Sequence, residues 1–136
     1  MRKLLRFSLY ILCISVLLAC TPSPKDAVQH VMEQRSQAMQ DKNIQLYGKL
    51  IADDYMSRGR TKKDVVSEMQ HLFQSFHTIQ METHHRKIRI LADGHAECEQ
   101  SYSLKVYADG DWRNITHREQ VFLHYEHDAW KIIAGL

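Results

Sequence analysis

Glu119, His117, Tyr102 and Gln100 put a carboxylate, an imidazole, a phenol and a carboxamide on two long segments that can pair as neighbouring strands. Asp109-Gly110 between those segments is a two-residue hairpin signal. With that turn, Ala108 faces Asp111, Tyr102 faces His117 and Gln100 faces Glu119. The same face carries Val106, Leu104 and Ile115 on one side of the polar group, and Cys98, Val121, Ala96 and Leu123 on the other. A face that is apolar at both ends is the inner one, so the polar group sits in the middle of a core. Buried polar groups must be paired or must line something wet. Glu119 or His117 as base and Tyr102 as donor would suit acid–base chemistry. Glu119 neutralised by His117 would instead form a closed cluster that supports the fold. Around open space, the four side chains would line a ligand pocket. The pocket reading is carried forward: Gln100, Tyr102, His117 and Glu119 are candidate pocket-lining residues, no residue is assigned as catalytic, and Glu119→Gln is expected to cost little stability.

Nine histidines raise the question of a metal. His84 and His85 point to opposite faces of a regular strand, as do His117 and His124. His124 and His127 sit at a turn and would chelate weakly. Without a Cys or carboxylate cluster at ligand spacing, no metal site and no cofactor is expected. Asp53 and Asp54 precede a helix and read as helix termination. Cys98, facing Val121, reads as a small buried hydrophobe.

These side chains need a sheet to hold them and helices to cover it. Val28, Val31, Met32, Arg35 and Met39 recur at helical spacing, which predicts a helix over 25–40. A second, short helix is expected over 44–52. Arg58-Gly59-Arg60 breaks the chain, and Thr61 with Asp64 three residues on caps a third helix whose apolar face is Val65, Met69, Leu72, Phe73 and Phe76. From Thr78 the period becomes two. Asp93-Gly94, Asp109-Gly110 and His127-Asp128 delimit strands near 78–91, 95–108, 111–126 and 129–134. Ile79 and Met81 are odd while Ile88 and Ile90 are even, so a β-bulge is expected between Met81 and Ile88. The last turn sets Trp130 opposite Tyr125, Ile132 opposite Leu123 and, on the outer face, Ile133 opposite Phe122.

Three helices followed by a bent sheet, with Ile51-Ala52-Asp53-Asp54-Tyr55 after the short helix and Ala129-Trp130-Lys131-Ile132-Ile133 at the close, resemble the nuclear transport factor 2-like superfamily. SnoaL-like and ketosteroid-isomerase-like proteins are among its members. The resemblance implies an α+β fold, with N-terminal helices packed in a curved antiparallel β-sheet, a cone-shaped, cystatin-like roll. It also implies a pocket at the open end. The family hosts isomerases, dehydratases, cyclases and non-catalytic binders, so fold alone does not give function.

The first twenty residues give an address. Arg2, Lys3 and Arg6 precede an apolar run from Phe7 to Leu18, shorter than the roughly 20 residues a membrane-spanning helix needs. A basic start, a short apolar segment and a small residue before a cleavage point make a signal peptide. Leu17-Leu18-Ala19-Cys20 resembles the lipobox of bacterial lipoproteins, which implies a lipidated Cys20 at the start of the mature protein. The expected organisation is a signal peptide over 1–19, the lipidated cysteine and a spacer over 20–25, and one domain over 26–136. Thr21-Pro22-Ser23-Pro24-Lys25 reaches at most about 17 Å, so the domain sits close to the bilayer. Thr21 after the cysteine implies, by resemblance to lipoprotein sorting in diderm bacteria, the outer membrane facing the periplasm.

Removing Arg2, Lys3 and Arg6 takes 18 basic residues to 15 against 16 acidic ones, so a formal charge of +2 becomes −1. No basic stripe remains, which argues against nucleic acid. Cys13 leaves with the leader and Cys20 carries lipid, so Cys98 has no disulfide partner. The leading expectation is a membrane-anchored envelope lipoprotein whose non-catalytic domain binds a small ligand or a protein partner. The alternatives are an isomerase- or dehydratase-like enzyme using Glu119, His117 and Tyr102, and a subunit of an envelope or secretion assembly. Phe122, Ile133, Tyr107 and Trp112 on the outer sheet face offer a surface for a homodimer.

Overall fold

The computed structural model describes residues 21–136; the leader and Cys20 lie outside them. The first helix, α1 (Pro24–Gln40), starts where Ser23 accepts a hydrogen bond from the Asp26 amide and Pro24 occupies the first turn. It buries Val28, Val31, Met32, Arg35, Ala38 and Met39. The short α2 (Ile44–Lys49) is capped by the Asn43 side chain on the Leu46 amide at 2.9 Å. It ends three residues before the expected 52. Strand geometry takes over there: the Ala52 amide donates to the Ile132 carbonyl, and the Ile132 amide to that of Leu50, forming a parallel bridge at Ile51. The Leu50 and Ile51 amides close the last turn of the helix, while the Leu50 carbonyl and the Ala52 amide serve the sheet edge.

The break at Arg58-Gly59 is a tight turn with both residues at positive φ, 51° and 77°. It joins β1 (Met56–Ser57) to β2 (Arg60–Thr61). Then α3 (Lys62–Ser75) opens with a complete capping box: the Asp64 amide donates to the Thr61 hydroxyl, and the Thr61 amide donates to the Asp64 carboxylate at 2.8 Å. The Thr61 amide and hydroxyl, both donating to the carboxylate, hold the Asp64 carboxyl below its usual range. Val65 and Phe73 are buried, while Met69, Leu72 and Phe76 pack half-buried against the core.

A four-stranded antiparallel sheet in the order β3-β4-β5-β6 forms the rest: β3 (Thr78–Ile90), β4 (His95–Ala108), β5 (Asp111–Glu126) and β6 (Ala129–Ala134). The β4–β5 register runs from Ala108 opposite Asp111 to His95 opposite His124, as the Asp109-Gly110 turn dictates. The expected bulge interrupts β3 between His84 and Lys87, with His85 at φ 54°. Trp130 faces Tyr125 and Ile132 faces Leu123. Ala134, not Ile133, lies opposite Phe122, because the register shifts between Phe122 and Leu123 and Ile133 becomes the extra residue. The sheet curves around α1, and the core joins Met32, Met39, Tyr47, Tyr55, Ile79, Cys98, Val106, Val121, Leu123 and Ile132. Ile115 is 46% exposed although Leu104 opposite it is buried, because the first half of β5 projects past the helices.

Candidate functional site

Glu119 is buried on the inner face, and its partner is an arginine from α1. Arg35 Nη1 donates to Glu119 Oε1 at 2.6 Å and Nη2 to Oε2 at 3.1 Å, a two-point pair between side chains about 4% exposed. Gln100 Nε2 donates to the same Oε1 at 2.6 Å. Gln100 Oε1 in turn accepts from Arg86 Nε at 2.8 Å, and Arg86 Nη1 lies 3.8 Å from Glu33 on α1. The bulge explains how Arg86 arrives there. The left-handed turn at His85 shifts the alternation by one and sends Arg86 inward, where a regular strand would place its neighbours differently.

Burial by itself works against the Arg35 charge; the Glu119 carboxylate and its hydrogen bonds outweigh that, so the guanidinium pKa is raised. Burial pushes the Tyr47 and Tyr102 phenols up, so both stay neutral donors. The Arg35 guanidinium carbon lies 5.9 Å from the centre of the Tyr102 ring, within cation–π range. Buried Arg35 Nε donates to no group among the described residues.

A cavity of about 150 Å³ lies against this pair, lined among others by Arg35, Tyr47, Tyr102, His117 and Glu119. Gln100 lies behind Glu119 and does not line it. Next to the cavity is a cleft of about 270 Å³ that shares Arg60, His117, Glu119, Gly135 and Leu136 and adds Arg58, Arg118 and Gln120. Leu136 closes the wall: its amide donates to the Tyr55 hydroxyl at 3.0 Å, and Arg60 donates to its carbonyl. Gly135 makes that approach feasible. At φ 99°, a Cβ on it would stand 2.0 Å from the Gln120 carbonyl oxygen.

The structure thus brings Tyr102, His117 and Glu119 to one cavity, with the Tyr102 and His117 rings 5.7 Å apart. It does not pair Glu119 with His117. The imidazole is exposed on the lip, where β5 leaves the cover of the helices. The carboxylate is instead committed to a buried arginine, so Glu119→Gln is now expected to cost stability. Arg35 carried a signal, since a guanidinium inside the stripe Val28, Val31, Met32 and Met39 demands a buried anion. Asp53 stands apart from the cavity, its pKa lowered by the hydrogen bond from Lys62 at 2.7 Å. His95 and His124 stack at 4.4 Å. Among the described residues, no three His, Cys, Asp or Glu side chains gather as metal ligands.

No family model and no curated protein sequence matches this chain. Solved structures do. One is a protein with a cystatin-like fold from Caulobacter vibrioides, 15% identical, with a TM-score of 0.70 over 84% of this chain and 87% of that one. Another is a proposed dehydratase of the NTF2-like family from Streptomyces avermitilis, 12% identical, TM-score 0.70, covering 82% and 91%. A proposed scytalone dehydratase from Novosphingobium aromaticivorans gives 11% identity, TM-score 0.70, and 81% and 79% coverage. The fold is the cystatin-like one, shared with a protein of the NTF2-like family. In that fold the curved sheet wraps a central helix, and here the space between them holds the Arg35–Glu119 pair. The cone of this chain is therefore narrowed at its centre by its own side chains.

Proposed function

We infer that the protein is a lipid-anchored envelope lipoprotein whose nuclear transport factor 2-like domain binds a small ligand without converting it. The observation that carries the non-catalytic reading is the two-point Arg35–Glu119 pair. A general base must be free to take a proton at the substrate. Glu119 has both oxygens held by Arg35, and one also by Gln100, so accepting a proton would break a buried ion pair. The dehydratase names of two structural neighbours favour an enzyme by analogy of fold, but their lead ends at this carboxylate. The inner cavity of about 150 Å³ is also smaller than the adjoining cleft of about 270 Å³.

Ligand binding then belongs to the adjoining cleft, lined by Arg58 and His117 together with Arg60 and Arg118, which also pair with Glu68 and Glu99. That chemistry suits a small anion such as a carboxylate or phosphate compound. The anchor rests on Leu17-Leu18-Ala19-Cys20, and the outer membrane facing the periplasm on Thr21. A homodimer through the outer sheet face would have to cover the Arg89–Glu97, Arg89–Glu99 and Arg118–Glu99 ion pairs there, which leaves the single chain as the proposed binding unit.

Two experiments test this. Wild-type protein should fractionate with membranes and incorporate labelled palmitate, and Cys20→Ala should abolish both; soluble, unlabelled wild type would overturn the anchor. Titrating inorganic phosphate and benzoate should move the His117 ring resonances saturably, and Arg58→Ala with Arg60→Ala should remove the response. Absence of any saturable shift would overturn the cleft as the binding site.

A further inference from the structure

At the opposite end of α1 the inner face of the sheet continues beyond its helical cover. Ile90 pairs with Ala96 on the inner row and is 42% exposed, although Ala96 is buried. Tyr125 pairs with Trp130 on the same row, their rings 5.6 Å apart, and is 47% exposed. Leu91 beside them is 44% exposed. The two hairpin turns at this end are tied together, with the Tyr125 amide donating to the Gly94 carbonyl at 2.7 Å. Between these turns and the start of α1 runs a groove of about 850 Å³, largely apolar, lined by Pro22, Val31, Ile90, Leu91, Tyr125 and Trp130, with Asp26, His30 and Asp128 also in its lining.

The position of the chain says what covers it. Thr21 also lines the groove, and the next residue toward the N-terminus is Cys20. One residue spans at most about 3.6 Å, so a lipid carried by Cys20 is attached at the groove's own edge. Isolated apolar side chains on a surface need no partner, but a contiguous apolar groove marks a contact site. A tyrosine and a tryptophan among aliphatic side chains also suit the boundary between headgroups and acyl chains. We propose that this groove docks on the bilayer, with Leu91, Ile90 and Tyr125 entering the boundary between headgroups and acyl chains. The domain then stands on the membrane in a fixed orientation, with the Trp112 hairpin tip at the far end of β5 from Tyr125. This rests on the lipid-anchor reading above and adds an orientation to it.

The two tryptophans test it. Trp130 lines the groove, whereas Trp112 sits at the β4–β5 hairpin tip, 51% exposed. Mature lipidated protein would be reconstituted into phosphatidylethanolamine–phosphatidylglycerol vesicles containing doxyl-labelled lipid. In W112F, an exposed substitution, the emission of the remaining Trp130 should fall relative to vesicles without the doxyl label. The additional emission of Trp112 in the wild type should be unaffected. In W112F with Leu91→Asp, flotation should persist while the quenching falls. Protein that floats with the vesicles but whose Trp130 is not quenched overturns the docking and leaves the anchor standing. Protein that fails to float overturns the anchor, and the docking with it.

Discussion

The polar centre of the cone and the apolar groove at the start of α1 share one inner sheet face, and they are built in opposite ways. At the centre, charges are brought in and paired with each other, leaving about 150 Å³ beside an arginine, a glutamate and two phenols. At the groove, apolar side chains are brought in and left uncovered around about 850 Å³. The first arrangement spends its functional groups on each other. The second leaves surface that only contact with something else can satisfy. Side-chain type alone would suggest the reverse assignment, with carboxylate and imidazole marking the working site and aliphatic residues marking core.

The largest expected effect lies at the centre. Arg35→Ala leaves Glu119 buried without its partner and should cost about 3–5 kcal/mol, read from urea unfolding. Replacing both members by apolar side chains of similar volume should cost far less, because no charge is then stranded. A double replacement as damaging as Arg35→Ala would mean that packing, not charge, explains the loss.

Gly135→Ala comes next. Its Cβ would meet the Gln120 backbone at 2.0 Å, so the wall carrying Leu136 must move away from β5. A loss of about 1–3 kcal/mol is expected, on the scale of overpacking. His117 should become more exposed in the same variant. Unchanged stability would show that Leu136 does not hold the cavity wall.

Cys98 sharpens the contrast by kinetics. It is fully buried, and burial pushes its thiol up to about 11. A thiol reagent at neutral pH should therefore react only after unfolding. The favourable burial of the neutral thiol is intact below the ordinary value of 9.0 and is lost as pH rises through about 11. Rapid labelling of native protein would break the proposed packing between sheet and α1.

The groove should give the smallest effect on stability. Leu91→Asp changes an exposed side chain and is expected to stay within about 0.5 kcal/mol of wild type. A large loss would mean that the groove is core after all.

These two regions were not equally legible in the sequence. The strand register was, because Asp109-Gly110 is a two-residue turn and each pairing follows from it. The bulge was readable from the switch between Met81 and Ile88, and the cap of α3 from Thr61 and Asp64. The partner of Glu119 was not. Strand pairing names neighbours across a sheet, whereas Arg35 arrives from a helix 84 residues away through docking that no turn specifies. The same limit hid Arg86, whose inward direction depends on the details of the bulge. It also hid the groove: alternation shows which face is inner, but not where α1 stops covering it. Ile133 slipped for a smaller reason, a one-residue shift beside Phe122 that leaves no mark in the pattern.

The central claim is that Glu119 belongs to Arg35 and is not a working acid or base. A pair of double-mutant cycles on urea unfolding tests it most directly, one with Arg35→Met and Glu119→Gln, the other with His117→Ala and Glu119→Gln. The account predicts a large coupling in the first cycle, between about 0.5 and 3 kcal/mol, and additive losses in the second. Strong coupling to His117 with none to Arg35 would contradict it and return the carboxylate to the open site.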